Sequence, residues 1–208
     1  MVKSISFSQE EIIDWIIKLH LKGENIEVDP CFSKGGFYKK GIVSPKYKFD
    51  LYPQVDGVEK CNAENLPLDD ASVMSIMFDP PFLATTGGSL KVDNGSNKIN
   101  KRFGVYPTEK LLHQFYVNAL NEFYRILKPN GILIFKCQDK VSSGKQYFSH
   151  NFIMNEAIKI GYYPKDMFIL LAKNRIVADW QLKNQKNARK FHSYFLVFEK
   201  SNKKIEYT

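Results

Sequence analysis

The sequence predicts a single α/β domain over residues 1–208, built on a mostly parallel sheet of seven strands, and three observations support this prediction. Short apolar runs typical of buried strands alternate with segments of helical periodicity along most of the chain. Acids or prolines follow several of these runs, as they do at the carboxyl edge of a doubly wound sheet. The last two apolar runs have no helical segment between them, which predicts an antiparallel pair at the end of the chain.

Composition limits the classes of protein that the chain can represent. Its 208 residues are enough for one well-packed core and few for two domains. The apolar runs are too short to cross a bilayer and no secretory signal follows Met1, so we expect a cytoplasmic protein without a membrane partner. The three cysteines form no CxxC pair, which argues against disulfides and against a metal site. The net charge of +8 suits nucleic acid as a partner without establishing it.

The first predicted elements are a helix from Ser8 to Leu21 and a strand at Ile26–Val28. Ser8 can cap the helix, and isoleucines recur along it at helical spacing. The loop that follows the strand reads Asp29-Pro30-Cys31-Phe32-Ser33-Lys34-Gly35-Gly36. Such a loop of small residues lets a ligand approach backbone amides closely, with a plain turn as the alternative.

Polar residues also follow the next two predicted strands. The strand Tyr47–Leu51 carries Asp50 about 20 residues after the first loop, the spacing of an acid that binds ribose hydroxyls in a doubly wound sheet. The strand Val58–Cys61 ends at Asn62 and Ala63, where a polar side chain could read the edge of an adenine ring. A solvated turn and a surface loop are the alternatives at these positions.

The fourth strand, Val73–Phe78, ends in Asp79, Pro80, Pro81 and Phe82. Two consecutive prolines end the strand and hold the residues before them in extended conformation. The resulting stiff turn presents a carboxylate, a backbone carbonyl and an aromatic ring together, a combination that suits a flat ring bearing an amino group. A strand-to-loop junction without a ligand is the alternative for this tetrapeptide taken alone.

The second half of the chain completes the predicted elements. Thr108–Leu127 is the clearest helix, and a turn at residues 128–131 should end it. The remaining predicted elements are a strand at Ile132–Lys136, a helix at Phe148–Ile160, and the antiparallel strands Met167–Leu171 and Tyr194–Phe198.

Two basic loops, 83–106 and 173–190, are candidates for target recognition. The first lacks apolar periodicity and we expect it to be poorly ordered without a substrate. Cations that track phosphates and an aromatic ring that stacks on bases are typical of nucleic-acid binding, and a solvated loop is the alternative. The candidate substrate-binding residues are Lys98, Lys101, Arg102, Arg175 and Trp180.

Together these features resemble the amino-methyltransferases, which use S-adenosylmethionine to methylate adenine N6 or cytosine N4. The resemblance rests on the Asp79–Phe82 tetrapeptide after a cofactor loop, the turn at residues 125–131 and the closing strand at 192–198. It implies a class I methyltransferase, Rossmann-like fold with helices on both faces of the sheet, and S-adenosyl-L-methionine as cofactor.

The resemblance also implies a role for each candidate position. Asp79, Pro80, Pro81 and Phe82 would be catalytic. Asp29, Pro30, Cys31, Phe32 and Gly35 would hold the methionine part of the cofactor, Asp50 its ribose, and Asn62 with Ala63 its adenine. The first loop departs from the commoner Phe-x-Gly-x-Gly pattern at Lys34.

The resemblance favours DNA over RNA as the partner, and adenine over cytosine because the tetrapeptide begins with Asp. No separate recognition domain is visible, so the two basic loops, a homodimer partner or a recognition subunit would select the target. The alternatives are amino methylation of an RNA base, at adenine N6 or guanine N2, and a non-catalytic nucleic-acid-binding module with the same fold.

Overall fold

The structure, a computed structural model, describes residues 1–82, 84, 106–142, 144–173 and 185–205. The helices in these ranges are α1 (Gln9–His20), α2 (Glu109–Ile126) and α3 (Ser149–Ile160). The first strands are β1 (Ile5–Ser6), β2 (Val28–Asp29), β3 (Tyr47–Asp50), β4 (Glu59–Lys60) and β5 (Val73–Phe78). The later strands are β6 (Leu127–Cys137), β7 (Lys140–Ser142), β8 (Lys145–Tyr147), β9 (Tyr162–Leu171) and β10 (His192–Lys200).

Eight of these strands form one sheet in the order β1-β9-β10-β6-β5-β2-β3-β4. β10 runs antiparallel to both of its neighbours, and the other pairings in the sheet are parallel. The predicted, mostly parallel sheet with an antiparallel strand near the end of the chain is therefore confirmed. The predicted number of seven strands was wrong, because β1 adds a short edge strand beside β9. Ile5 in β1 is 48% exposed, so this strand has no buried apolar run that would signal it in the sequence.

Helices cover both faces of the sheet, as expected. α1 packs on one face, where Ile12 and Ile16 share a buried cluster with Met77, Ile134 and Phe195. α2 and α3 pack on the opposite face, against a cluster that includes Phe78, Phe135 and Leu196. Successive strand residues point to opposite faces, so Met77 and Phe78 contribute to different clusters.

The helix boundaries follow from their caps. The side chains of Ser8 and Thr108 accept hydrogen bonds from backbone amides in the first turns of α1 and α2, as predicted. Gly161 ends α3 in the left-handed conformation at φ 118°.

Helix α2 ends at Ile126, directly before the predicted turn as expected, but residues 128–131 belong to β6 and do not form a separate turn. Asn130 has a positive φ of 65°, and the pairing of β5 with β6 shifts its register between Val73 and Ser75. The turn-like residues therefore lie at an irregularity in the pairing of β6 with β5, without ending the strand. The β7–β8 hairpin was not predicted, since its short polar strands lack an apolar pattern.

Candidate active site

A cavity of about 460 Å³ opens at the carboxyl edge of the sheet, beside the loops that follow β2, β3, β4 and β5. Ligand pockets in proteins typically have about 300–1,000 Å³, so the volume suits a cofactor. The predicted site residues that line it are Pro30, Cys31, Phe32, Asp50, Asn62, Ala63, Asp79 and Pro81. Lining residues that the sequence did not single out are Gln9, Ser33, Gly36, Phe37, Leu51, Tyr52, Tyr106, Pro107 and Phe115.

The other predicted residues lie elsewhere. Asp29, Gly35, Pro80 and Phe82 belong to the same loops but are not part of the cavity wall. The side chain of Phe82 is 41% exposed. The five candidate substrate-binding residues lie outside the described part of the chain, namely Lys98, Lys101, Arg102, Arg175 and Trp180.

Asp50 is 9% exposed and is held by the backbone on both sides. Its Oδ2 accepts a hydrogen bond from the amide of Ser33 at 2.8 Å, and its Oδ1 accepts one from the amide of Tyr52 at 2.8 Å. Burial raises the pKa of this carboxyl, and the two amide bonds oppose that rise. Each carboxylate oxygen has more than one lone pair, so both can still accept a hydroxyl of a ligand.

Asp29 is buried beneath the first loop and organises it. Its Oδ1 accepts from the amide of Cys31 at 2.9 Å, and its Oδ2 accepts from the hydroxyl of Tyr38 at 2.8 Å. The ring of Tyr38 in turn stacks on Phe32 at a centroid distance of 5.4 Å. Burial raises the pKa of Asp29 to about 7, an effect that Asp79 and Asp50 reinforce by charge repulsion.

Lys34 stands where the commoner loop pattern has glycine, but the backbone of this loop does not require glycine at that position. Positive φ values occur at Ser33 (51°) and Gly35 (65°), and Lys34 is not among the residues with positive φ. A side chain at Lys34 is therefore compatible with the backbone of the loop.

We expect Gly35→Ala to destabilise the protein by about 1–2 kcal/mol, because the left-handed conformation disfavours a Cβ. An added Cβ would also lie 2.7 Å from Cζ of Phe32, whose ring is held by Tyr38. Urea unfolding of both proteins measures the change. Gly36→Ala is the matched control, because its Cβ would have no atom within 4 Å. Equal losses in the two variants would contradict the steric explanation.

The backbone of the tetrapeptide is anchored from the α2 side. The hydroxyl of Tyr116 donates to the Pro81 carbonyl at 2.8 Å. The ammonium of Lys140 donates to the Phe82 carbonyl and forms an ion pair with Glu109 at 2.9 Å. Within the described residues no hydrogen bond engages the Pro80 carbonyl.

Asp79 forms an ion pair with Lys136, whose Nζ lies 3.3 Å from Asp79 Oδ2. The same Nζ donates to Oε1 of Gln9 at 3.0 Å and lies 4.9 Å from the ring centroid of Phe37. The sequence did not indicate this pair. The register Phe78↔Phe135 between β5 and β6 places the next residues, Asp79 and Lys136, side by side.

Neither a metal cluster nor a membrane span was found in the described residues. No group of three or more histidine, cysteine or acidic side chains there could hold a metal ion. Among the helices of the described ranges, none has the length and hydropathy needed to cross a bilayer. The cysteines Cys31, Cys61 and Cys137 are free thiols.

Comparison with known proteins gives matches only among solved structures. No profile of a protein family and no curated protein matches this sequence. A proposed DNA modification methylase from Thermus thermophilus, solved with S-adenosyl-L-methionine, is 17% identical, with a TM-score of 0.42. That match covers 71% of this chain and 56% of the Thermus protein, so the chain spans little more than half of that relative.

Two further matches cover nearly the whole chain. A SAM-dependent methyltransferase from Thermotoga maritima is 17% identical, with a TM-score of 0.48 over 92% of this chain and 91% of that protein. A proposed sarcosine dimethylglycine methyltransferase from Galdieria sulphuraria is 14% identical, with a TM-score of 0.53 over 91% of this chain and 85% of that protein. With the observed sheet order and the single antiparallel strand β10, the chain has the Rossmann-like fold of class I methyltransferases.

Proposed function

We propose that this protein transfers a methyl group from S-adenosylmethionine to an exocyclic amino group of a nucleic-acid base, specifically adenine N6 in DNA. The observation that carries the proposal is that Asp79 and Pro81 line the same cavity as Asp50 and the first loop. The Asp79 carboxylate could thus meet an amino group next to a site that suits the cofactor.

The lining residues fit the cofactor chemically. Asp50 would accept hydrogen bonds from the ribose hydroxyls, while Asn62 and Ala63 would contact the adenine ring. The loop of Pro30, Cys31 and Phe32 would hold the methionine part. S-adenosylmethionine, when bound, supplies an electrophilic methyl group on a positively charged sulfur.

The tetrapeptide would make the amino group a better nucleophile. The nitrogen of an exocyclic amine is a poor nucleophile because its lone pair is delocalised into the ring. Hydrogen bonds from its two protons to the Asp79 carboxylate and the Pro80 carbonyl would localise that lone pair. Lys136 contacts Oδ2 of Asp79, so Oδ1 is the oxygen left for the amino group. The carboxylate would also stabilise positive charge that develops on nitrogen.

Positioning of the base completes the mechanism. The exposed ring of Phe82 would stack on the target base and hold it in line with the methyl donor. In a duplex the base would have to flip out, because its amino group is otherwise paired and stacked. The basic loops 83–106 and 173–190 would contact the phosphates, consistent with the net charge of +8.

The proposal is tested with S-adenosylmethionine carrying a labelled methyl group. The purified protein is incubated with duplex DNA, single-stranded DNA and RNA, and the labelled nucleosides are identified after digestion. We expect N6-methyladenine in DNA. Label on an RNA base would establish the RNA alternative. Calorimetric binding of the cofactor without transfer to any nucleic acid would contradict the proposal, and absence of cofactor binding would favour the non-catalytic module.

A further inference from the structure

A second cavity, of about 370 Å³, opens at the same edge of the sheet on the α1 side. It lies between the residues that follow β1, the start of α1, the ends of β6 and β9, and the start of β10. The residues of its wall used below are Phe7, Gln9, Glu10, Gln138, Lys173 and His192.

The wall combines an exposed aromatic ring with a cation. Phe7 is 60% exposed, and Nζ of Lys173 lies 5.9 Å from the centroid of its ring. An open aromatic face can stack on any base, and an adjacent ammonium can contact the phosphate that accompanies it. This pair therefore has the chemistry of a site for one nucleotide.

The polar part of the wall is held in place by its own contacts. Gln138 Nε2 donates to the carbonyl of His192 at 3.1 Å, which fixes the start of β10. Nε2 of His192 lies 2.9 Å from the hydroxyl of Tyr194. The carboxylate of Glu10 lies 3.5 Å from the ammonium of Lys40, so its charge is partly compensated beside a phosphate.

The second cavity adjoins the catalytic carboxylate through one residue. Gln9 lines both cavities, and its Oε1 accepts from Lys136, which pairs with Asp79. A base bound against Asp79 would therefore have this cavity beside it, on the far side of Gln9. The aromatic ring, the ammonium and the position of this cavity together favour the next nucleotide of the same strand as its ligand.

We propose that the second cavity binds the nucleotide next to the target base, with its base stacked on Phe7 and its phosphate near Lys173. This inference rests on the proposed function and names its substrate class. In a duplex, even after the target base has flipped out, the neighbouring base stays paired with its complement and stacked on its other side, so it is not free to enter this cavity. The protein therefore acts on single-stranded or locally unpaired nucleic acid in preference to intact duplex.

The test compares substrates and variants under one set of conditions. Methyl transfer is measured with adenosine monophosphate, with a single-stranded oligonucleotide containing one adenine, as DNA and as RNA, and with the DNA annealed to its complement. We expect the single strand to have the highest kcat/KM. Phe7→Ala should lower kcat/KM for it by about 5- to 150-fold, the range for loss of one stacked base, and leave the mononucleotide unchanged. Phe7→Trp should retain activity.

Lys173→Ala should weaken single-strand binding and reduce its salt dependence, because it removes one phosphate contact. Lys46→Ala is the matched control. It removes the exposed ammonium 4.5 Å from the ring of Tyr47, a similar pair at the opposite edge of the sheet. We expect this control to leave the binding of the oligonucleotide unchanged. Thermal unfolding verifies that each variant is folded.

Two results would overturn the inference while the proposed function stands. One is a higher kcat/KM for the intact duplex than for the single strand. The other is the same kcat/KM on the single strand for Phe7→Ala and for the unchanged protein. If no nucleic acid is methylated, the proposed function fails separately. Binding of a fluorescent single strand in the presence of the cofactor then decides the inference. Weaker binding by Phe7→Ala would support the nucleotide site, and unchanged binding would overturn it.

Discussion

Replacement of Asp79 by alanine should reduce methyl transfer by about 10²- to 10³-fold or more, with little change in cofactor affinity. In the proposed mechanism, the variant loses the carboxylate that would accept an amino proton and stabilise positive charge on nitrogen. Asp50 and the first loop, which would hold the cofactor, keep their own hydrogen bonds. Transfer of labelled methyl groups and calorimetric binding of S-adenosylmethionine measure the two effects separately.

Asp14→Ala is the matched control for this variant. It also removes an aspartate paired with a lysine, since Oδ2 of Asp14 lies 2.6 Å from Nζ of Lys18 on the exposed side of α1. We expect unchanged transfer in this control. Full activity of Asp79→Ala would exclude the proposed mechanism, and loss of cofactor binding in the same variant would place Asp79 in the cofactor site.

Asp29→Asn should make the stability of the protein less sensitive to pH. The pKa of Asp29 is about 7 in the folded protein against an ordinary value of 3.8, so between these values the folded state binds the extra proton. Stability is therefore lost as the pH rises from about 4 to 7, by about 1.4 kcal/mol for each pH unit, and stays low above pH 7. Asparagine cannot ionise and removes this contribution.

The free energy of unfolding of the variant, compared with that of the unchanged protein, should therefore increase by about 2–3 kcal/mol as the pH rises from 5 to 8. An amide can accept from Cys31 and donate to the hydroxyl of Tyr38, so both contacts of Asp29 can persist. Urea unfolding of both proteins at pH 5, 6.5 and 8 gives the difference directly. A difference that does not change with pH would mean that Asp29 ionises normally in the folded protein.

Much of the fold could be predicted because its signals are local. The strand Val73–Phe78 was predicted with the bounds that the structure has, since an apolar run ends there at two prolines. The caps at Ser8 and Thr108 marked the starts of α1 and α2. The two-residue strand β1 could not be predicted, because an exposed edge pairing requires no particular sequence pattern.

The candidate site likewise has features that the sequence predicted and features that it did not. The residues that end the strands could be predicted from local sequence patterns, and Asp50, Asn62 and Asp79 were therefore expected at one edge of the sheet, where they line the cavity. Strand endings and their spacing are properties of short segments, so they can be read without the fold.

The contacts that hold these residues in place depend on the assembled fold. Lys136 reaches Asp79 across 57 positions of the chain and Gln9 across 127, so their contacts depend on strand register and on the packing of α1. The burial that raises the pKa of Asp29 likewise exists only once the sheet and the loop have assembled around it. Side-chain partners and desolvation are set by long-range packing, and for that reason the ion pair beside the proposed catalytic carboxylate had no signal in the sequence.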